Sequence, residues 1–378
     1  METKERLTSL DAFRGFTIAG MMLVNNPGSW SNIYPQLKHS EWHGWTFTDW
    51  IFPFFLFIVG IAMVFSFSKV IIEEKNKVYI KIFKRTLLIY AFGFFLSGFP
   101  YFDLSKIRVV GVLQRISFCY FFTSIIYLNT KSYKSRVGWV LFLLFFYWAV
   151  MEFFPVPGIG AGLYEKGKNF SNWFDSITLT GHMWSQTKTW DPEGIFSTLP
   201  AIATTLFGVL TGEFLRSNKS DNEKTIYLFF TGEIFLLIGL IWDNLLPINK
   251  SLWTSSYSVF MAGWALVVLS FLYFLIDVKG YKKYAKPIVI FGLNPLIVFV
   301  LAGVFARLMG LIKIQTEPEK LISLQQYLYQ NYFTQVGSPI NASLLWAICF
   351  MLLMYLISWG MWKKKIFLKV CKPNCKLH

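Results

Sequence analysis

Cysteine is scarce in this chain, acidic residues are outnumbered, and no stretch is long and polar enough to form a soluble domain. Four cysteines in 378 residues (Cys119, Cys349, Cys371, Cys375) give no disulfide framework. Cys371 and Cys375 stand in a basic tail expected in the reducing cytoplasm, and a C-x-x-x-C pair without histidine partners is a poor metal signal. Free thiols are expected. The apolar runs do not alternate with polar residues, which excludes a β-barrel and leaves helices as the way to satisfy backbone groups in lipid. No internal repeat is visible. Met1 to Leu10 is short and polar, and no small-residue cleavage site of the A-x-A kind follows, so a cleavable signal peptide is not expected.

What the chain has in excess is apolar length. Hydrophobic residues make up 54% of it, Phe alone counts 40, and mean hydropathy is +0.47. Runs of about 20 apolar residues suit helices crossing a ~30 Å hydrocarbon core. They predict an all-α polytopic membrane protein with ten transmembrane helices, or eleven. The ten lie near residues 8–27, 48–70, 82–100, 108–128, 137–155, 194–215, 225–243, 252–276, 286–309 and 340–361. The net charge of +15 follows this topology. With the 73–85 loop inside, 24 of the 36 Lys and Arg fall on the cytoplasmic side, and both termini fall there too. The charge therefore reads as orientation in a lipid bilayer, and no nucleic-acid partner is expected. Residues 1–378 are expected to form a single transmembrane domain, with external loops at about 28–47, 156–193 and 310–339. The second loop, rich in Gly, Pro and Trp, suggests an ordered cap. The third is expected to hold a short amphipathic helix near Leu321–Phe333.

The organising stretch is Asn25 to Gly60, which joins the first apolar run to the second. It holds His39 and His43, the carboxylates Glu41 and Asp49, Asn25, Asn26 and four tryptophans. Histidines at i, i+4 with Glu41 between them depart from H-E-x-x-H, so a zinc site is not expected and no metal is assigned. The tryptophans, Trp42 among them, form either an interfacial belt or an apolar wall that keeps an imidazole neutral and stacks on a sugar. A neutral imidazole is a good general base toward an ammonium or hydroxyl. Asn25 either orients it or donates to an acyl oxygen.

Ionisable residues inside spans are costly and face protein or water. Asp11 and Arg14, spaced i, i+3, make either a local ion pair or part of an anion pocket. Arg115 needs a partner, with Asp103, Glu152 or the Asp191/Glu193 pair available. Glu213 and Glu233 flank a cytoplasmic loop. Asn294-Pro295 breaks the ninth run, where Asn294 satisfies a loose carbonyl or touches a ligand.

RLTSLDAFRGFTIAGMMLVNN, followed by KHSEWHGWTFTDWIFPFFLFIVG, resembles the heparan-α-glucosaminide N-acetyltransferase family. The resemblance continues through KIRVVGVLQRIS, WDPEGIFSTLPAIATTLFGVLTG, INKSLWTSSYSVFMAGW, DVKG and WKKKIF, and covers nearly the whole chain. It implies a polytopic enzyme that takes acetyl from cytosolic acetyl-CoA, as co-substrate, and delivers it to a glucosamine amine across the membrane. The family's catalytic histidine matches His39 in its KHxxW segment. Its asparagine after the first span matches Asn25, or Asn26 because the spacing here is a few residues longer. The resemblance further implies a homodimer. With only a few residues before its first span, the chain resembles a bacterial relative in the cytoplasmic membrane.

The expected mechanism uses His39 as general base or transient acetyl carrier. Glu41, Trp42, Asp49, Asp191 and Glu193 are the expected acceptor-binding residues, and Arg14, Arg115 and Asn294 the expected contacts to acetyl-CoA. Two other readings stand beside it. One is an O-acyltransferase acting on a cell-envelope glycan. The other is a secondary transporter of an amino sugar, which the missing repeat disfavours.

Overall fold

The computed structural model describes residues 7–67, 75–317 and 320–367. Cys371 and Cys375 lie outside the described residues, while Cys119 and Cys349 are free thiols. The helices are α1 (Thr8–Asn25), α2 (Ile51–Phe67), α3 (Lys75–Gly98), α4 (Val112–Asn129), α5 (Tyr133–Phe153), α6 (Phe170–Thr178) and α7 (Thr198–Leu215). They continue with α8 (Asp221–Asp243), α9 (Ser255–Tyr273), α10 (Lys282–Phe291) and α11 (Pro295–Leu311). A hairpin of β1 (Lys313–Glu317) and β2 (Lys320–Ser323) precedes α12 (Leu324–Leu328) and α13 (Pro339–Lys363).

Nine of the ten expected spans each overlap one of these helices, and the run at 286–309 falls on two, α10 and α11. Among the described residues, α2, α5, α7, α8, α9 and α13 are long and apolar enough to cross a membrane. The pair α10–α11, bent by 52°, makes a seventh when counted as one span. Helices α1, α3 and α4 have comparable length but carry charge: Asp11 and Arg14 in α1, a basic first half in α3, Arg115 in α4. The bend sits where the sequence breaks the run, at Gly292-Leu-Asn-Pro295. Pro295 opens α11 at a position where its missing N–H costs nothing.

The 310–339 loop departs from expectation. Its first part is an antiparallel hairpin pairing Lys313 with Ser323, Ile314 with Ile322 and Gln315 with Leu321. Leu321 and Ile322 are thus strand residues, and the helix begins only at Leu324. Ser323 sets that start: its hydroxyl accepts from Gln326 N at 3.1 Å, as an N-cap does.

Two compact units can be distinguished. The first comprises residues 7–40, 46–51 and 275–367, in which α1 packs against α10, α13 and α11. Phe13, Ile18, Met22, Ala342 and Met354 are among its most deeply buried apolar side chains. The second comprises the described part of 41–45 and 52–274. Here α7 is central, touching α4, α5 and α9, while α8 lies along α9. Gly60 of α2 and Gly208 of α7 let two backbones meet. A Cβ on Gly60 would strike the Thr205 carbonyl, and one on Gly208 the Phe57 carbonyl. Such small-residue contacts drive helix association in lipid, where apolar burial between helices gains little over lipid tails. Trp253, fully buried, anchors the same unit. Its indole donates to Thr204 Oγ1 at 3.1 Å and its ring meets Phe52 edge-on at 4.9 Å.

Candidate active site

In the first unit, the chain leaving α1 makes a 3₁₀ turn at Pro35–Leu37 and reaches His39. It returns at Thr46, which heads a second 3₁₀ turn, Phe47–Trp50, leading into α2. Asp49 sits at the third position of that turn and reaches back to the Thr46 N–H at 3.0 Å, the carboxylate half of a capping box. It also accepts from Ser40 N at 3.1 Å. Its other oxygen, Oδ1, lies 2.6 Å from His39 Nδ1. Asp49 is fully buried, whereas the His39 side chain is 45% exposed. A carboxylate only accepts, so the Nδ1 nitrogen carries the proton and Nε2 becomes the basic nitrogen. The Thr46 hydroxyl donates to the Lys38 carbonyl at 2.7 Å and closes the loop behind the pair.

Asp49 was expected to bind acceptor; here its oxygens are engaged with His39 and backbone amides. The signal that marks it is the T-x-x-D spacing of Thr46 and Asp49 directly before an apolar run. Asn25 ends α1 and is exposed, while Asn26 donates to the Met22 carbonyl at 3.0 Å and so closes the helix. Arg14 donates to Asp11 at 2.9 Å, which makes the local ion pair. Asn294 donates to the Ile366 carbonyl at 2.9 Å, tying the head of α11 to the end of α13.

The second unit contains Glu41, Trp42 and His43. Glu41 is exposed. The Trp42 indole donates to the Tyr164 carbonyl at 2.7 Å, its ring meets Trp190 edge-on at 5.2 Å, and Lys166 Nζ stands 5.6 Å from its centre. His43 Nδ1 is 3.4 Å from the side-chain amide nitrogen of Asn249, a donor, so Nδ1 holds the lone pair. Burial lowers the basicity of His43, partly offset by the charge of Asp243.

Asp191, Glu193 and Arg115 also meet in this unit, around an arginine not singled out from the sequence. Arg108 Nε donates to Asp191 Oδ2 at 2.8 Å, and its Nη2 bonds both Asp191 and Glu193. The Asp191 oxygens also accept the amides of Trp184 and Glu193, each at 2.9 Å. Arg115 donates to the Gly194 carbonyl at 3.0 Å and to Ser197, with its face over Trp253 at 5.1 Å. Of the carboxylates expected as its partners, Glu193 and Asp191 act on it through charge, whereas Asp103 bonds Ser105 and Glu152 bonds Tyr164. Glu213 pairs with Arg136 at 2.7 Å. Burial raises the cost of charge on Glu193, but Arg108, Lys250 and Arg115 together hold its carboxyl below the usual range.

Beneath this cluster, Asp175 of α6 accepts the amides of Asp191 at 3.3 Å and Ile195 at 3.1 Å. Gly194 between them has no room for a Cβ, which would overlap the Asp175 carboxylate. Burial raises the Asp175 pKa to about 7 despite those two hydrogen bonds, and the neighbouring Asp191 charge adds to the rise. Among the described residues no three His, Cys, Asp or Glu side chains gather as a ligand set for a metal.

Residues 6–244 match the family model described as heparan-alpha-glucosaminide N-acetyltransferase, catalytic. The chain belongs to this family. Both the His39–Asp49 pair and the Arg108 cluster lie inside the matched region. Among its relatives is the protein named heparan-alpha-glucosaminide N-acetyltransferase from Homo sapiens, 28% identical over 97% of this chain and 60% of its own length. The Mus musculus protein of the same name is also 28% identical, with the same coverage of each chain. This member of the family thus spans about 60% of the length of the relatives it matches.

Proposed function

We propose that this chain is a transmembrane acetyltransferase that moves acetyl from acetyl-CoA to the amine of a glucosamine-type sugar. The observation that carries the reading is the 2.6 Å contact between His39 Nδ1 and the fully buried Asp49, within the family's catalytic region. Asp49 holds the tautomer and stabilises the imidazolium that forms when His39 takes a proton. His39 Nε2 removes a proton from the acceptor ammonium. The amine nitrogen then attacks the thioester carbon, its C–N bond forming as the carbonyl electrons move to oxygen. Collapse of that intermediate breaks the C–S bond, a second nitrogen proton is lost, and the proton held by His39 passes to the leaving thiolate. Asn25, at the end of α1 before this loop, is the donor assigned to the acyl oxygen.

The donor enters from the side that carries most of the basic residues, and the acceptor from the opposite side. Glu41 and Trp42, two and three residues beyond His39, are assigned to the sugar. Direct transfer is the route we assign, rather than an acetyl-His39 intermediate. The protein works as a homodimer in the cytoplasmic membrane of a bacterium.

The test is acetyl transfer by the purified protein in detergent, with labelled acetyl-CoA and glucosamine. Labelled N-acetylglucosamine is expected from the wild type and only background from His39→Ala. Full transfer by the variant would remove His39 from the mechanism. Transfer to hydroxyl acceptors alone would make the protein an O-acyltransferase. Rapid mixing with acetyl-CoA alone tests the route: a stoichiometric burst of free CoA before acceptor is added would replace direct transfer by the acetyl-His39 path.

A further inference from the structure

WKKKIF and the lysine-rich start of α10 lie far apart in the chain, and neither has a role in the mechanism above. The first unit joins them. Lys286 Nζ lies 4.8 Å from the centre of the Trp362 ring, Phe291 meets Tyr355 edge-on at 5.8 Å, and Asn294 holds the Ile366 carbonyl. Lys282, Lys283, Lys286, Lys363, Lys364 and Lys365 are thereby gathered at one end of the unit, all exposed. Among the described residues none of the six has a carboxylate partner. The nearby acids are engaged elsewhere: Asp277 accepts the amides of Thr8 and Ser9 at 3.2 and 3.0 Å, and Asp11 pairs with Arg14.

The backbone supports the arrangement at a cost. Lys365 has φ +55, the left-handed position after a helix where glycine is preferred, and Ile366 N closes the turn on the Met361 carbonyl at 2.8 Å. Six like charges thus stand on two segments that touch, with Lys363 Nζ 5.1 Å from the centre of the Trp359 ring and the exposed rings of Tyr281 and Tyr284 on the α10 segment. Such a surface attracts anions.

We infer that these six lysines bind the phosphates of the acyl donor, the diphosphate and the ribose phosphate of CoA, with a tyrosine available to the adenine. This rests on the acetyl-CoA reading above. What favours the donor over lipid headgroups is the layout of the unit. Helix α1 starts beside α10, pinned through Asp277, and ends at Asn25, where the loop to His39 begins. Eighteen residues of helix span about 27 Å at 1.5 Å per residue. CoA likewise carries its charge at one end and its thioester at the end of a long pantetheine arm. A lysine site at one end of α1 and a base beyond the other match that division.

The test uses the full chain in nanodiscs of zwitterionic lipid, with CoA as the probe. Two triple variants, K282Q/K283Q/K286Q and K363Q/K364Q/K365Q, are each expected to raise the Kd for CoA tenfold or more. S-acetylpantetheine, which lacks every phosphate, is expected to bind within twofold of wild type. The matching Lys→Arg triples keep the charge and are expected to restore CoA binding, which guards against misfolding. Unchanged CoA affinity in both Gln variants overturns the inference, as does an effect confined to stability in nanodiscs containing anionic phospholipid. Failure of the wild type itself to bind CoA would instead overturn the donor reading on which it rests.

Discussion

His39 and His43 stand four residues apart in one loop, yet the fold gives them opposite states. His39 meets a buried carboxylate that can only accept, so its proton sits on Nδ1 and Nε2 is the base. His43 meets the amide of Asn249, a donor, so its Nδ1 is committed as acceptor. His39 has an anion behind it to stabilise an imidazolium. His43 is shifted toward the neutral form by partial desolvation, with the charge of Asp243 opposing. The difference teaches that neither residue type nor neighbourhood in the chain fixes where an imidazole carries its proton. The group facing its Nδ1 does.

The carboxylates repeat the lesson. Asp49 and Asp175 are both fully buried and both accept two backbone amides. Only Asp49 also has an imidazole. Asp175 faces Asp191, and its carboxyl is raised to about 7.

The sharpest break of this comparison is His39→Ala, expected to lower acetyl transfer by roughly 10³-fold, in the range general-base removal costs. Equal losses for His39→Ala and His43→Ala would erase the distinction. Asp49→Asn comes next, expected to lower kcat by about 10²-fold, since an amide facing Nδ1 favours the wrong tautomer. A pH–rate profile would show whether the apparent pKa of the base falls with it. Arg108→Ala leaves Asp191 and Glu193 without their guanidinium and is expected to cost about 3–5 kcal/mol of stability, read as loss of Tm in detergent.

Asp175 sharpens the comparison through pH. Its folded pKa of about 7 lies above the ordinary carboxylate value, so the folded state holds this proton more tightly than the unfolded chain. Its contribution is full below about pH 4 and is lost as pH rises through 7. The wild type is therefore expected to gain stability relative to Asp175→Asn as pH falls from 7.5 to 5, by on the order of a few kcal/mol. A parallel pH dependence of Tm in both proteins would remove Asp175 as the cause. The smallest effect is expected for His43→Ala: a change in transfer below about threefold, measured as kcat.

Much of the fold was legible. Every expected span is helical, the 286–309 run as the bent α10–α11 pair, because about 20 apolar residues in lipid leave the backbone few other choices. Pro295 marked the 52° bend, and Thr46-x-x-Asp49 marked the head of the turn before α2. The hairpin at Lys313–Ser323 was missed because Leu321 and Ile322 suit a strand and a helix start equally well in so short an apolar run. Arg115 was recognised as needing partners, but its carbonyl and hydroxyl partners come from residues 79 and 82 positions away. Nothing local announces such a separation.

The sequence by itself determined the family, the helical membrane architecture and the prominence of His39. These depend on apolar length, on charge asymmetry and on motifs whose members lie close together. Only the tertiary structure decided which atoms meet. It placed Asp49 rather than Asn25 against the imidazole, drew Asp191 and Glu193 onto Arg108, and gathered the lysines of α10 and the α13 terminus. Proton position and charge compensation depend on contacts within a few ångströms, and those contacts join residues that the chain itself keeps apart.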